Sequence, residues 1–155
     1  MTGDKIMEVR AIENGTVIDH IPADSLFKII NILRLDKETH RITFGMNLES
    51  KRMGSKAIIK IAGRYCLPEE INRIALVAPL ARVNIIKDFE VTEKLKVRVP
   101  TQVEGFVKCA NPKCITNNEP VATAFNVIEG KEIALKCRYC EKITYQGQLQ
   151  IIETV

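Results

Sequence analysis

Four cysteines in the last third of the chain constrain its fold more than any other feature of the sequence. They form two pairs, Cys109-x4-Cys114 and Cys137-x2-Cys140, with 22 residues between the pairs. Each pair can supply two thiolate ligands from one loop, and two such loops complete the tetrahedral coordination that zinc prefers. The spacing therefore predicts one zinc ion per chain, with these four cysteines as its ligands.

A bound metal ion would also explain how the end of the chain folds. Residues 101–155 amount to only 55 residues, which is short for a domain stabilised by core burial alone. Buried free thiols and disulfide bonds are the alternatives, and a reducing compartment disfavours disulfides. Four thiolates leave no position for water or substrate, so the zinc ion is predicted to be structural. Cys66 lies outside this pattern and is predicted to be a small buried hydrophobic residue.

The composition changes near Pro100, which predicts two domains at residues 1–100 and 101–155. The first domain has 17 Lys and Arg against 13 Asp and Glu, whereas the second has 6 of each. An excess of positive charge can attract a polyanion to the first domain. The basic residues are scattered, however, and a pI of 8.8 is lower than is usual for a duplex-binding domain. We therefore predict no nucleic-acid partner.

The sequence contains no recognisable catalytic or membrane-spanning motif. No uncharged apolar run reaches about 18 residues, and the first residues lack the apolar core of a signal peptide. These observations predict a cytoplasmic protein without a membrane partner. Phosphate-binding, dinucleotide-binding and nucleophile-elbow motifs are absent, and neither His20 nor His40 lies in a recognisable triad motif. The chain is therefore predicted not to be an enzyme, with no catalytic residues.

Hydrophobic periodicity predicts an α+β fold. Apolar stripes predict two helices, one capped by Asp24 or Ser25 and the other opening at Pro68. Strands are predicted in the first domain at residues 6–12, 16–20, 42–48 and 56–61, and residues 82–99 are predicted to form one long strand or two in succession. The order β, α, β, β, α, β with one extra strand early is typical of a ferredoxin-like antiparallel sheet with two helices on one face. Strands at residues 121–128 and 133–136 predict a small all-β, zinc-ribbon-like second domain.

Several short motifs along the chain carry a family resemblance. The main ones are residues 15–23, residues 41–43 with Gly45 and Asn47, Met53-Gly54, Ala78-Pro79, Asn111-Pro112 and residues 134–142. Together with the cysteine spacing, these motifs resemble the regulatory chains of aspartate carbamoyltransferase. The resemblance covers essentially the whole sequence.

This resemblance implies a function for each domain. The N-terminal domain would bind CTP or ATP, with UTP as a further candidate, and the C-terminal zinc domain would contact the catalytic chain. Regulatory dimers of the chain would join catalytic trimers and control pyrimidine biosynthesis. The nucleotide pocket of the family maps onto Val9, Arg10, Ala11, Ile12, Val17, Asp19, His20, Lys60, Asn84, Ile86, Val91 and Lys94.

The chemistry of the mapped residues suits a nucleotide. Lys94 and His20 can supply positive charge to a triphosphate, and Asp19 can accept a hydrogen bond from a ribose hydroxyl. Lys60 can reach a base carbonyl or the ribose. Two positions depart from the family pattern: Arg10 replaces an acidic residue and Phe89 replaces a tyrosine.

Two other functional classes remain as alternatives. A nucleic-acid-binding zinc ribbon would need basic and aromatic residues around the metal loops. The basic residues there are offset by Glu119 and Glu141, and only one aromatic residue, Tyr139, lies between the second pair of cysteines; the basic residues are Lys113, Arg138 and Lys142. A small metalloenzyme would need an open coordination position, which four thiolates do not leave.

Overall fold

The structure, a computed structural model, describes residues 10–152. Within this range, five strands form one sheet and four strands form another. The first sheet and its helices comprise β1 (Gly15–Ile21), α1 (Leu26–Ile32), β2 (Ile42–Ser50), β3 (Gly54–Ala62), α2 (Pro68–Ile74), β4 (Arg82–Lys87) and β5 (Glu90–Lys96). The remaining elements are β6 (Gln102–Glu104), α3 (Ile115–Asn118), β7 (Ala124–Ile128), β8 (Ala134–Cys137) and β9 (Ile143–Tyr145).

The first sheet has the predicted ferredoxin-like arrangement. Its strands are all antiparallel and lie in the order β2-β3-β1-β4-β5. The extra strand is β5, which forms a hairpin with β4 through Asp88 and Phe89, both with positive φ. The sequence predicted an extra strand early in the chain, at residues 6–12. It left open whether residues 82–99 form one strand or two, and the structure has two, β4 and β5. Residues 6–9 lie outside the described residues, and residues 10–12 form no strand.

The two helices begin where the sequence predicts, but their ends are held differently. Pro68 opens α2, and the Glu70 carboxylate accepts a hydrogen bond from the Leu67 N–H at 3.0 Å. The Ser25 side chain does not cap α1, which contradicts the predicted cap. Its hydroxyl instead donates to the Val77 carbonyl at 3.0 Å and so ties the start of α1 to the segment after α2.

The core lies between the helices and one face of the sheet. Ala57, Ile59 and Ile61 are fully buried in β3, as the alternation of this strand predicts. They pack in one cluster with the apolar stripes of both helices. The strand β2 was predicted to be half-buried, yet Phe44 is 48% and Met46 is 38% exposed. The difference arises because β2 is an edge strand of the sheet.

The second sheet has the strand order β6-β7-β8-β9. The predicted hairpin is confirmed, since β7 pairs with β8 and Phe125 lies opposite Cys137. The sequence did not predict α3, a single turn that begins directly after Cys114. Phe125 and Leu135 are fully buried and belong to the same apolar cluster as the core of the first sheet, so the two units pack against each other. No helix within residues 10–152 has the length and apolar character needed to cross a membrane.

Candidate functional site

The four paired cysteines converge at one end of the second sheet. The β7–β8 hairpin carries Cys137 and Cys140 back against the loop that holds Cys109 and Cys114. Three of the thiols are buried and Cys140 is partly exposed. The four sulfur atoms all lie within 4.8 Å of one another. The arrangement brings together the complete set of predicted metal ligands.

The spacing of the sulfur atoms fits a tetrahedral metal ion. Four sulfurs at about 2.3 Å from a zinc ion are separated by about 3.8 Å in tetrahedral geometry. The sulfur–sulfur distances are 3.6 Å for Cys109–Cys140 and 3.7 Å for Cys114–Cys137. Soft thiolates favour a soft or borderline metal ion over calcium or magnesium. The cluster can therefore hold one such ion with no open position for a substrate.

Backbone and amide hydrogen bonds fix the two cysteine loops. The Asn117 side chain donates to the carbonyls of Cys109 and Asn111 at 2.9 and 2.7 Å. The Asn118 side chain donates to the Cys114 carbonyl at 2.8 Å, and the Tyr139 N–H donates to the Cys137 sulfur at 3.4 Å. Such outer contacts orient metal ligands and disperse the negative charge of the thiolates.

The pKa values of the Cys109, Cys137 and Cys140 thiols are shifted in different directions. Burial raises the pKa of the Cys109 thiol to about 12 and also raises the pKa of Cys137. Burial acts in the same direction on Cys140. There, hydrogen bonds from the Asn111 side chain, the Lys142 N–H and the Cys109 thiol outweigh it and lower the pKa to about 6. A metal ion that binds all four thiolates must therefore displace protons, so its affinity is expected to rise with pH.

A second group of predicted residues lies in a row across the open face of the first sheet. Val17 in β1 pairs with Lys60 in β3 and with Asn84 in β4, and Asn84 pairs with Lys94 in β5. Directly paired residues of antiparallel strands point to the same face. The row therefore places Lys60, Val17, Asn84 and Lys94 side by side, opposite the face that the helices cover.

Charged groups around this row are held in specific contacts. Lys60 is only 7% exposed, and its ammonium donates to the Arg10 carbonyl at 2.9 Å. Desolvation lowers the pKa of Lys60, while the nearby Asp19 carboxylate opposes this effect. Asp19 itself forms an ion pair with Lys56 at 2.8 Å. Lys56 was not in the predicted set, although alternation along β3 places it on the same face as Lys60.

His20 lies at a bulge in β1 and has an unusual conformation. Its φ is 58°, and its N–H donates to the Asp19 carboxylate at 2.7 Å. The ring Nδ1 is buried and has no hydrogen-bond partner among the described residues. A buried polar atom of this kind is uncommon, because nearly all such atoms find a partner.

A cleft of about 350 Å³ opens beside the row. Its lining consists of Asp19, His20, Arg82, Asn84, Lys94, Leu95 and Lys96. Arg82 and Lys96 add two cations that were not among the residues predicted from the sequence. They lie two residues from Asn84 and Lys94 and pair with each other in the β4–β5 register. Period-two alternation along the strands could have placed them on this face.

A small apolar cluster lies beside the cleft. Ile12, Val17 and Ile86 are buried together on the open face, with Ile58 and Ala62 packed against them. Val91 pairs with Ile86 and is half-exposed beside it. Ala11 is exposed just before β1. Val9 lies outside the described residues.

Comparison with protein families accounts for both units. The family described as aspartate carbamoyltransferase regulatory chain, allosteric domain, matches residues 7–98. The family described as aspartate carbamoyltransferase regulatory chain, metal binding domain, matches residues 101–150. The chain belongs to the aspartate carbamoyltransferase regulatory chain family. The four-cysteine cluster thus lies in the metal-binding domain, and the row and cleft lie in the allosteric domain.

Individual regulatory chains are similar over nearly their whole length. The chain is 53% identical to the regulatory chain of Bacteroides fragilis over 146 residues, which cover 94% of this chain and 95% of the relative. The regulatory chain of Porphyromonas gingivalis is 54% identical, with coverage of 94% and 97%. That of Pyrococcus abyssi is 51% identical, with coverage of 92% and 95%. All three are named as the regulatory chain and not the catalytic chain.

Proposed function

We propose that this regulatory chain senses CTP and ATP on the open face of its first sheet and transmits their effect to aspartate carbamoyltransferase catalytic chains. UTP is a further candidate ligand. The observation that carries the proposal is the row of Lys60, Val17, Asn84 and Lys94 beside a cationic cleft. In this role the chain performs no chemical step. A bound nucleotide shifts the complex between quaternary states of lower and higher activity, because it binds those states with different affinity.

In this proposal the cleft binds the phosphates of the nucleotide and the apolar cluster contacts its base. Arg82, Lys94 and Lys96 offer three cations to a polyphosphate, whereas the one carboxylate of the cleft, Asp19, is already paired with Lys56. The unpartnered Nδ1 of His20 gives a further polar contact for the ligand. We propose that the base lies against the apolar cluster, where the backbone near Arg10 can form hydrogen bonds with its edge. Asn84 and Lys60 lie between the two regions and suit the ribose or the base.

The C-terminal unit is proposed to contact the catalytic chain, with a structural zinc ion as its metal. The closed set of four thiolates at tetrahedral spacing supports the zinc ion. We place the boundary between the two domains at residue 100, because β5 ends at Lys96 and β6 begins a separate sheet at Gln102.

The proposal is tested by calorimetric titration of the purified full chain. CTP and ATP should bind to one site per chain, and their affinity should fall as salt is added, because the cationic cleft holds the phosphates. Cytidine, which lacks phosphates, should bind much more weakly than CTP. Equal affinity for cytidine and CTP, or no binding of either triphosphate, would contradict the proposed site.

The chain is also proposed to pair with a second copy of itself through β2. The two edge strands of the first sheet differ. Residues 42–48 of β2 carry no charged side chain, whereas β5 carries Glu90, Glu93, Lys94 and Lys96. Charges on an edge strand discourage pairing with another strand. Beside β2, Phe44 packs edge-to-face on Phe27 at 6.3 Å, and both rings are about half exposed.

Sedimentation of the isolated chain tests this pairing. Two identical antiparallel edges can pair about a two-fold axis, so the wild-type chain should sediment as a dimer. Phe44→Lys places a charge in the paired surface and should shift the chain towards the monomer. Phe89→Lys is the matched control, since Phe89 is 64% exposed and lies in the turn between β4 and β5, at the opposite edge of the sheet. A monomeric wild-type chain, or a dimeric Phe44→Lys variant, would exclude the β2 interface.

A further inference from the structure

A second cavity adjoins the cleft at His20. It has a volume of about 260 Å³, and it shares His20, Arg82 and Lys96 with the cleft as lining residues. One more charged residue lines it, Arg52, which lies in the turn between β2 and β3. The rest of its lining is apolar. The cleft therefore continues into a cavity whose charged or polar side chains are three cations and one imidazole.

The cations that line these two cavities have no carboxylate partner. None of the four lysine and arginine side chains forms an ion pair within residues 10–152. Asp19 is the one acidic residue in either lining, and Lys56 holds its carboxylate at 2.8 Å. Cations that lie close together repel one another, so the site favours an anion that neutralises them. The four cations are Arg52, Arg82, Lys94 and Lys96.

This distribution of charge is unsuited to a magnesium ion. In nucleotide sites, Mg²⁺ is usually bound through one or two carboxylates together with the phosphates of the ligand. The two linings offer only the Asp19 carboxylate, which Lys56 already holds. A divalent cation among the four protein cations would also be repelled by each of them, and the apolar walls of the second cavity reduce the screening of that repulsion.

We propose that the chain binds its nucleoside triphosphate free of divalent cation, with Arg52 as a further phosphate-binding residue beyond His20. The inference rests on the proposed nucleotide function. In the magnesium-free triphosphate, the phosphate oxygens are all available to the protein cations. A bound Mg²⁺ occupies oxygens of the terminal phosphates and cancels part of their negative charge. Mg²⁺ in solution therefore competes with the protein for the ligand.

Calorimetric titration of the full chain with CTP tests this inference. One buffer contains no added divalent cation, and the other contains an excess of MgCl₂, with NaCl adjusted so that both have the same ionic strength. The apparent affinity should fall at least about tenfold in excess Mg²⁺, because mass action lowers the concentration of free CTP. CMP lacks the terminal phosphates that hold Mg²⁺, so its affinity should change by less than about twofold.

Two charge reversals in the turn between β2 and β3 test the role of Arg52. Arg52 and Lys51 are both exposed, but Lys51 lines neither cavity. Arg52→Glu should weaken the binding of magnesium-free CTP at least about tenfold, because a negative charge replaces a cation beside the phosphates. The loss caused by Mg²⁺ should also shrink, since the new carboxylate can bind the ion. Lys51→Glu is the matched control and should keep the affinity and the magnesium dependence of wild type.

The possible outcomes separate this inference from the proposed function. An affinity for CTP that is equal or higher in excess Mg²⁺ would overturn the inference and leave the nucleotide function standing. Equal effects of Arg52→Glu and Lys51→Glu would remove Arg52 from the phosphate-binding residues. If wild type binds no CTP in either buffer, the proposed function fails and the inference fails with it.

Discussion

Replacing Cys114 with serine should release the metal ion and abolish association with the catalytic chain. Cys114 is buried at the start of α3, and its sulfur lies 3.7 Å from that of Cys137 across the cluster. A serine hydroxyl stays protonated at neutral pH and is a poor ligand for a metal that prefers thiolates. Structural zinc in small peptides contributes on the order of 10–16 kcal/mol of apparent binding free energy, so its loss removes most of the stabilisation of such a domain.

Elemental analysis of the purified chain gives the first measurement. Wild type should contain one zinc ion per chain, and Cys114→Ser should contain far less. Size-exclusion chromatography with catalytic subunits then measures assembly. Cys66→Ala is the matched control, because Cys66 is also buried but lies outside the cluster, so it should keep its zinc and assemble normally. Full assembly by a chelated, metal-free wild-type chain would show that the metal is not needed.

The sequence predicts the parts of this fold that depend on local periodicity and spacing. The alternation in β3 identifies its buried face, because the sheet has one covered and one open side. Pro68 marks the start of α2 for a local steric reason. The cysteine spacing identifies the cluster because two short loops must each supply two ligands.

The features that the sequence did not predict depend on contacts between distant segments. Serine is a common helix cap, but the Ser25 hydroxyl instead donates a hydrogen bond to the carbonyl of Val77, 52 residues further along the chain. Phe44 looks like a buried strand residue, but β2 is an edge strand, so no neighbouring strand covers its outer side. The contact between Arg73 and Phe106 likewise arises only when the two domains pack together. Tertiary packing of this kind overrides local preference.

Replacing Lys94 with alanine should weaken the binding of CTP and ATP alike. Lys94 is exposed at the rim of the cleft, in register with Asn84 and near Lys96. An ammonium is a compact charge that suits a mobile polyphosphate, and both nucleotides carry the same triphosphate. A charge-assisted hydrogen bond contributes about 1.5–3 kcal/mol, so the affinity for triphosphates should fall by roughly 10- to 150-fold.

Binding isotherms for the mono- and triphosphates of cytidine and adenosine distinguish phosphate recognition from base recognition. In Lys94→Ala, the loss should be smaller for the monophosphates, because they lack the terminal phosphates that reach Lys94. In Lys60→Ala, the ratio of CTP to ATP affinity should change instead, because Lys60 is buried beside the apolar cluster that is proposed to contact the base. Lys87→Ala is the charge-matched control: Lys87 follows Ile86, points to the opposite face of β4 and lies over the Tyr65 ring. Equal losses for mono- and triphosphates in Lys94→Ala would show that Lys94 contacts a part that both share, which is the base, the ribose or the first phosphate, and not the terminal phosphates. An unchanged affinity in that variant, matching the Lys87→Ala control, would show that Lys94 is a solvated surface charge.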